Sequence, residues 1–269
     1  TKAIKTAFIL LSTATALILA IGLQMARARF VTARRGVNKA GRSGAVCIES
    51  LPVPRRPRLH REELQLEDLQ LQRLLLDRAL QPFEDFNGFD KRDQFPTAAL
   101  RYPINLIRYA LASAGAYYLP ALRGYQQSAQ SNLAHKLREP KAWSYWQLEI
   151  AWRHGHSSAD PIVHENIMYS GFVALQLALA RSAHRLTEFD ASGSFVLKHQ
   201  TQGQFAYSLP EITDALQTQY SNAQFGLLAC EPNWIYPLCN AITVAGMRCS
   251  NAQYETYRWQ QIKDRFQTG

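Results

Sequence analysis

Cysteine is scarce in this chain, which has four cysteines in 269 residues. That number is too small for a fold held together by disulfides at this length. Cys47, Cys230, Cys239 and Cys249 also lack the close Cys-x-x-Cys pairs of a structural zinc site. We therefore expect free thiols in a reducing compartment.

Several motifs of other enzyme classes are also missing. The sequence has no glycine-rich phosphate loop and no paired-aspartate motif, which argues against ionisation of a diphosphate substrate. His154, His156 and His164 lie close together, but no carboxylate stands at helical ligand spacing from them. A solvent-facing loop is therefore favoured over a metal site, and we predict no metal.

Acidic residues are nearly absent from the first 61 positions, which hold 12 lysines and arginines and a single acid, Glu49. The remainder carries 18 bases against 20 acids, so its net charge is close to zero. The basic balance of the whole chain therefore does not indicate a nucleic-acid groove, and no nucleic-acid partner is predicted.

Residues 7–23 form an uncharged apolar run of 17 residues, the lower limit of the roughly 17–25 that span a membrane. A secretory signal peptide is the alternative. The arginines and lysines that follow favour an anchor, with the rest of the chain on the cytoplasmic side. We predict a membrane protein with an anchor at 1–30 and a basic, proline-rich linker at 31–61, which either lies along anionic headgroups or is a solvated tether.

Helical periodicity dominates the domain predicted at 62–269, and no long segment alternates as a strand would. An outer amphipathic helix is expected up to residue 80, and a buried inner helix ends near residue 185. The segment 187–209 is expected to be a loop or short extended segments. The fold class is therefore all-α, with helices expected at 62–80, 98–119, 121–138, up to 185, 210–220, 238–248 and 253–266.

Two cysteines flank a proline-broken, aromatic turn at residues 228–240. Pro237 is suited to the first position of a helix, which places Cys239 in a helical first turn where the dipole favours a thiolate. Cys230 has apolar neighbours that favour the protonated thiol. The pair could therefore act as acid and base, or both could be small buried hydrophobic residues.

An acidic and aromatic loop at residues 83–93 offers a further candidate, Asp85. A carboxylate among phenylalanines would have a raised pKa and could transfer a proton. A solvated turn with its phenylalanines tucked inward is the alternative.

The order and spacing of several short blocks resemble the linalool dehydratase/isomerase family over about residues 83–247. These blocks are Asp85-Phe86, Ile107-Arg108-Tyr109, Trp143, Trp146, Asp160-Pro161-Ile162, Asn166-Ile167-Met168-Tyr169, Gly171, and Cys230-Glu231-Pro232 through Cys239-Asn240. The resemblance implies an (α/α)6 barrel of helical hairpins around an apolar pocket. It also implies enzymes that isomerise and dehydrate terpene allylic alcohols without a cofactor, in a ring of subunits.

By this resemblance Cys230 and Cys239 are the acid/base pair, and Asp85 is the carboxylate that reaches a neighbouring subunit. The implied function is a cofactor-free lyase or isomerase that dehydrates, isomerises or cyclises an isoprenoid or other apolar allylic substrate. Aromatic residues of the turn could stabilise an allylic cation. The residues expected at the substrate are Tyr109, Met168, Phe172, Glu231, Trp234, Tyr236 and Asn240.

Two departures from the family pattern motivate an alternative function. Phe172 stands where the bacterial pattern has a histidine, and a phenylalanine can neither hydrogen-bond nor transfer a proton. Only about half of the helices of such a barrel are expected here, which suggests a C-terminally incomplete domain. The alternative is a catalytically degenerate or truncated, membrane-tethered binding module of the same fold, and a homo-oligomer is possible in either case.

Overall fold

The computed structural model describes residues 63–89, 99–155, 160–199, 202–231 and 234–268. The predicted anchor and linker lie outside these residues. Among the helices that are described, none is both long enough and apolar enough to cross a membrane.

The described chain is mostly helical, as the sequence predicts, with one small antiparallel sheet. The α-helices in chain order are α1 (Leu66–Ala79), α2 (Arg101–Tyr117), α3 (Arg123–Arg138), α4 (Pro140–Trp143), α5 (Tyr145–His154), α6 (Ile167–His184), α7 (Leu209–Asn222), α8 (Pro237–Tyr254) and α9 (Arg258–Thr268). The strands are β1 (Phe195–His199) and β2 (Gly203–Tyr207). A short 3-10 turn, Pro120–Leu122, joins α2 to α3.

Helix α6 lies at the centre of the core, with buried side chains around most of its circumference. Helix α8 approaches α6 closely because glycines of both helices lie at the contact. A Cβ on Gly171 would overlap Thr243 of α8, and one on Gly246 would lie 2.6 Å from the backbone nitrogen of Leu175. The prediction of a buried inner helix in this region is confirmed.

Helix α1 packs on the outside of the domain. Leu75 and Leu76 contact the core, and Asn132 of α3 donates a hydrogen bond of 2.6 Å to the carbonyl oxygen of Ala79. Most of the other leucines of this helix are exposed, including Leu66 and Leu74. The helix is amphipathic as predicted, but its buried side is narrow.

Two expectations about local structure need correction. No helix was expected between residue 138 and the histidine-rich turn, but α4 and α5 together cover most of residues 140–154, and Gly155 ends α5 in a left-handed conformation. Pro140 is the first residue of α4. The helix expected at 238–248 continues to Tyr254 and ends at Glu255, so Cys249 lies within α8.

The hairpin that follows α6 accounts for the extended segments expected between residues 187 and 209. Strands β1 and β2 pair antiparallel from Phe195 opposite Tyr207 to His199 opposite Gly203. Helix α7 begins directly afterwards with a capping box, in which the hydroxyl of Ser208 accepts from the Glu211 backbone at 3.3 Å and the Glu211 carboxylate accepts from the Ser208 backbone at 2.7 Å. This cap fixes where α7 starts, and α7 leads the chain to the cysteine turn.

Candidate active site

The cysteine turn, residues 228–240, is closed by its own backbone. The Cys230 N–H donates to the Trp234 carbonyl oxygen at 2.8 Å, and the Trp234 N–H donates to the Glu231 carbonyl oxygen at 2.8 Å. Pro237 is the first residue of α8, which places Cys239 in the first helical turn, as predicted. The turn therefore brings the two cysteines to the same side of the loop, at the N-terminus of a helix.

Asn240 holds the turn against α7. Its Oδ1 accepts from the Tyr220 hydroxyl and from the Leu228 N–H, both at 2.9 Å. Its Nδ2 donates to the carbonyl oxygens of Leu228 at 2.9 Å and Tyr236 at 3.1 Å. The amide is fully buried and all of its hydrogen-bonding capacity is used, so it positions the turn and has no polar group left over for the predicted substrate contact.

Cys230 and Cys239 are both buried free thiols that lie close enough to shift each other's pKa, and the Cys230 thiol donates a long hydrogen bond of 3.9 Å to the Tyr236 carbonyl oxygen. The neighbouring Cys239 thiol and then burial raise the pKa of the Cys230 thiol. The neighbouring Cys230 thiol lowers the pKa of Cys239, with help from the positive charge of Arg101 and from the helical backbone. The directions agree with the sequence prediction, but the main cause is the contact between the two sulfurs.

Arg101, the first residue of α2, places a positive charge beside the thiols. Its guanidinium lies between the rings of Tyr102 and Tyr145, 4.4 and 4.1 Å from their centroids. Its Nη2 donates to Met168 Sδ at 3.4 Å, while Nε and Nη1 are buried without a hydrogen-bond partner. Burial opposes the charge, but Tyr145, Tyr102 and Glu149 outweigh it, and the pKa of Arg101 lies above its ordinary value.

Glu149 of α5 is half-buried in the same region, one turn after Tyr145. Burial and the nearby Glu231 carboxylate raise the pKa of Glu149 to about 7, against the opposing effect of Arg101. Its Oε2 is buried and has no hydrogen-bond partner. A carboxyl group that titrates near neutral pH is suited to donate and accept protons.

The predicted substrate-lining residues on α2 and α6 lie together. The Tyr109 hydroxyl donates to the Phe172 carbonyl oxygen at 3.1 Å, and the Phe172 ring meets the Tyr102 ring edge to face at 6.1 Å. Tyr102 donates through its hydroxyl to Met168 Sδ at 3.1 Å. This contact places Met168 next to the Arg101 guanidinium, on the side of α6 that faces α2.

Two aromatic residues of the turn are partly exposed beside the thiols. Trp234 and Tyr236 stack with their ring centroids 6.5 Å apart, and each is nearly half exposed. Glu231 lies between the cysteine and these rings in the sequence, and its charge acts on both thiols and on Glu149. Of the predicted substrate residues, these three border the thiol pair from the solvent side.

A family model described as Linalool dehydratase/isomerase matches residues 101–269. The chain belongs to this family. The match begins at Arg101 and contains both cysteines of the turn, Glu149 and all of the predicted substrate residues. The match to the linalool dehydratase/isomerase family extends beyond residue 247, where the resemblance was expected to end. No curated protein matches the chain.

Asp85 lies before the region matched by the linalool dehydratase/isomerase family. It is in the loop after α1, is exposed, and accepts a hydrogen bond from the Asn87 N–H at 2.9 Å through its carboxylate. Its backbone carbonyl oxygen accepts from Lys136 of α3. These contacts hold Asp85 against its own loop and α3, and within the described residues no hydrogen bond or ion pair joins it to the cysteine pair.

Three residues of the site, Arg101, Tyr145 and Glu149, were missed from the sequence. Arg101 carried a sequence signal, since it stands at helical spacing from Ile104 and Leu111, on the apolar side of α2 where a charged residue is unusual. Glu149 carried little signal in the sequence, because a single acidic residue in a helix is usually exposed to solvent. Its proximity to the cysteine turn, about 80 positions later in the sequence, is set by tertiary packing.

Across the described ranges, no three histidine, cysteine, aspartate or glutamate side chains are grouped as metal ligands. His156, part of the histidine-rich turn, lies outside the described residues.

Proposed function

We propose that this protein is a lyase or isomerase that acts on an isoprenoid or other apolar allylic alcohol by proton transfer through Cys230 and Cys239, without a cofactor. The observation that carries this proposal is the placement of two buried free thiols together at the N-terminus of α8, supported by the opposite shifts of their pKa values. Membership of the linalool dehydratase/isomerase family supports the reaction class.

The proposed reaction removes a hydroxyl group and a proton from neighbouring positions. Protonation of the hydroxyl oxygen lets the C–O bond break, and its electron pair leaves with water. An allylic cation remains, beside which the rings of Trp234 and Tyr236 lie. The Cys239 thiolate takes a proton from an adjacent carbon, and the C–H electron pair becomes the new double bond.

Isomerisation uses the same cation. Water adds to the other end of the allylic system and releases a proton to the base, which moves the double bond and the hydroxyl group. The Cys230 thiol, whose pKa is raised, stays protonated and favours the thiolate of Cys239. Cys239 becomes a thiolate again when it passes the proton it has taken to the water released.

The finer architecture is also a proposal. We infer that the helices described here form part of an (α/α)6 barrel, because consecutive helices such as α2 and α3 pack as hairpins. Asp85 would act in the site of a neighbouring subunit, consistent with its exposed position in a loop. An anchor at residues 1–30 would deliver an apolar substrate from the membrane.

One observation favours a second function, a binding module without catalysis. Phe172 is buried against Tyr102 at the position where a histidine was expected, so this position offers no proton. The two functions differ in turnover. The enzyme converts its substrate and needs the thiols to do so, whereas the binding module holds the substrate without converting it.

The deciding experiment incubates the full-length chain with linalool and follows dehydration and isomerisation by gas chromatography. We expect Cys239→Ala and Cys230→Ala each to lower turnover at least about 100-fold, the range of a general acid or base. Cys249→Ala is the matched control, because this thiol lies elsewhere on α8, and it should retain activity. Full activity in both site variants would refute the thiol mechanism, and binding of linalool without turnover by the wild type would support the binding module.

A further inference from the structure

Two oppositely charged side chains of the site carry polar atoms that the folded chain does not use. Arg101 is 1% exposed, yet its Nε and Nη1 have no hydrogen-bond partner. Oε2 of Glu149 is buried and unpaired in the same way. A buried donor or acceptor without a partner costs roughly 1–3 kcal/mol, and charged groups cost more. Such groups are therefore expected to have a function.

Arg101 and Glu149 lie near each other without forming an ion pair. The Arg101 guanidinium lies 4.1 Å from the centroid of the Tyr145 ring, and Glu149 follows Tyr145 by one turn of α5. Each shifts the pKa of the other, but no hydrogen bond or salt bridge joins them in the described part of the chain. Polar groups that interact at such a range are commonly bridged by a third polar group. A hydroxyl group suits this arrangement, because its oxygen can accept both from a guanidinium N–H and from the O–H of a protonated carboxyl group.

We propose that Arg101 and Glu149 bind the hydroxyl group of the substrate, and that Glu149 donates the proton with which this oxygen leaves as water. Resting on the proposed function, this inference assigns the oxygen end of the substrate to α2 and α5 and the carbon end to the cysteine turn. The ligand class is an apolar alcohol with one hydroxyl group.

The step balances without a further reactant. The O–H bond of protonated Glu149 breaks, its proton joins the substrate oxygen, and the C–O electron pair leaves with the water that forms. Glu149 becomes a carboxylate, which the adjacent positive charge of Arg101 stabilises. The proton that Cys239 takes from carbon returns to Glu149 through the water released, so the enzyme is unchanged after each turnover.

Glu149 is the better acid for this oxygen than either thiol. The pKa of Cys230 is raised by the neighbouring Cys239 thiol and by burial, which makes it a reluctant donor. The pKa of Cys239 is lowered, which makes it the better proton acceptor of the two thiols and suits it to act as the base. Glu149, with a pKa of about 7, is protonated in a large fraction of molecules near neutral pH.

Hydroxyl recognition can be tested by binding alone. The full-length Cys239→Ala variant, which is not expected to consume its ligand, is titrated with linalool and with the hydrocarbon of the same skeleton that lacks the hydroxyl. We expect the alcohol to bind at least about tenfold more tightly, the value of one hydrogen bond to a charged group. Adding Arg101→Met should reduce this preference to about twofold, whereas adding Arg123→Met, an exposed arginine on α3, should leave it unchanged.

The acid role of Glu149 is tested by the isosteric change Glu149→Gln. We expect turnover of linalool to fall at least about 100-fold while affinity for the hydrocarbon is retained. Because Glu149 must be protonated to act as the acid, the activity of the wild type should fall as the pH rises through about 7. The charged or titratable groups around Glu149 are Arg101, Glu231 and Tyr145. Glu67→Gln, an exposed glutamate of α1, is the matched control.

The outcomes separate this inference from the proposed function. Equal binding of alcohol and hydrocarbon, or a tenfold preference that survives Arg101→Met, overturns the hydroxyl site even if the cysteines prove essential. Full turnover by Glu149→Gln overturns its role as the acid. Loss of turnover in Glu149→Gln, with activity unchanged in the cysteine variants, keeps this acid and overturns the thiol mechanism.

Discussion

Gly171 of α6 lies directly against the side chain of Thr243 of α8, so that a Cβ on Gly171 would overlap the Thr243 hydroxyl and its Cβ. The same hydroxyl donates to the carbonyl oxygen of Cys239 at 2.7 Å. This close contact between the two central helices is therefore one turn away from a proposed catalytic thiol. Packing of α6 on α8 and the position of Cys239 are coupled through Thr243.

Replacing Gly171 with alanine should separate these helices. We expect Gly171→Ala to lower the free energy of unfolding by about 1–3 kcal/mol, the usual cost of overpacking a core. Gly124→Ala is the matched control, since no atom lies within 4 Å of a Cβ there, and it should be neutral or stabilise by up to about 1 kcal/mol. Urea denaturation followed by circular dichroism measures both, and equal stability of the two variants would contradict the close contact.

Asn240 is predicted to hold the cysteine turn and not the substrate. Asn240→Ala leaves the Tyr220 hydroxyl and the Leu228 N–H and carbonyl oxygen without their partner, so we expect a loss of about 2–4 kcal/mol in stability. The loosened turn should also let Cys230 react faster with a thiol reagent.

Both effects of Asn240→Ala can be measured on one sample, by thermal melting and by mass-spectrometric mapping of alkylated cysteines. Asn222→Ala, at the exposed end of α7, is the control and should change neither quantity. Native stability and unchanged Cys230 reactivity in Asn240→Ala would show that the turn does not depend on this amide.

Most of the helices could be predicted from the sequence because their apolar periodicity is local, whereas α4 and α5 were not predicted. Pro237 correctly indicated the start of α8 and the first-turn position of Cys239. The end of α8 was missed, because Glu255 adopts a left-handed conformation, at φ 52°, without the glycine that usually marks such an end. Side-chain identity did not reveal this backbone conformation.

The candidate site could be predicted only in part. The thiol pair lies within a single turn, so its sequence spacing carried the information. Arg101 and Glu149 join the site from two other helices, and nothing in their local sequence links them to the cysteines. Their burial is the decisive feature, and it depends on how α2 and α5 pack around the cysteine turn.

The pKa of Cys239 should depend on Cys230. The neighbouring Cys230 thiol favours the Cys239 thiolate, so the pKa of Cys239 lies below its ordinary value and its reactivity persists to lower pH. In Cys230→Ala this donor is lost, and the pKa of Cys239 should rise. Alkylation of Cys239 near neutral pH should then slow, and its pH profile should move to higher pH.

Iodoacetamide labelling between pH 5 and 10, in a background with Cys47→Ala and Cys249→Ala, measures this profile for Cys239 by peptide mass spectrometry. Cys230→Ser is the matched variant, because its hydroxyl remains a donor and should leave the profile closer to that of the wild type. Arg101→Met removes the positive charge that also favours the thiolate and should move the profile upward. A profile that is identical in the wild type and in Cys230→Ala would show that the thiols do not share a proton, and the acid/base pair would have to be abandoned.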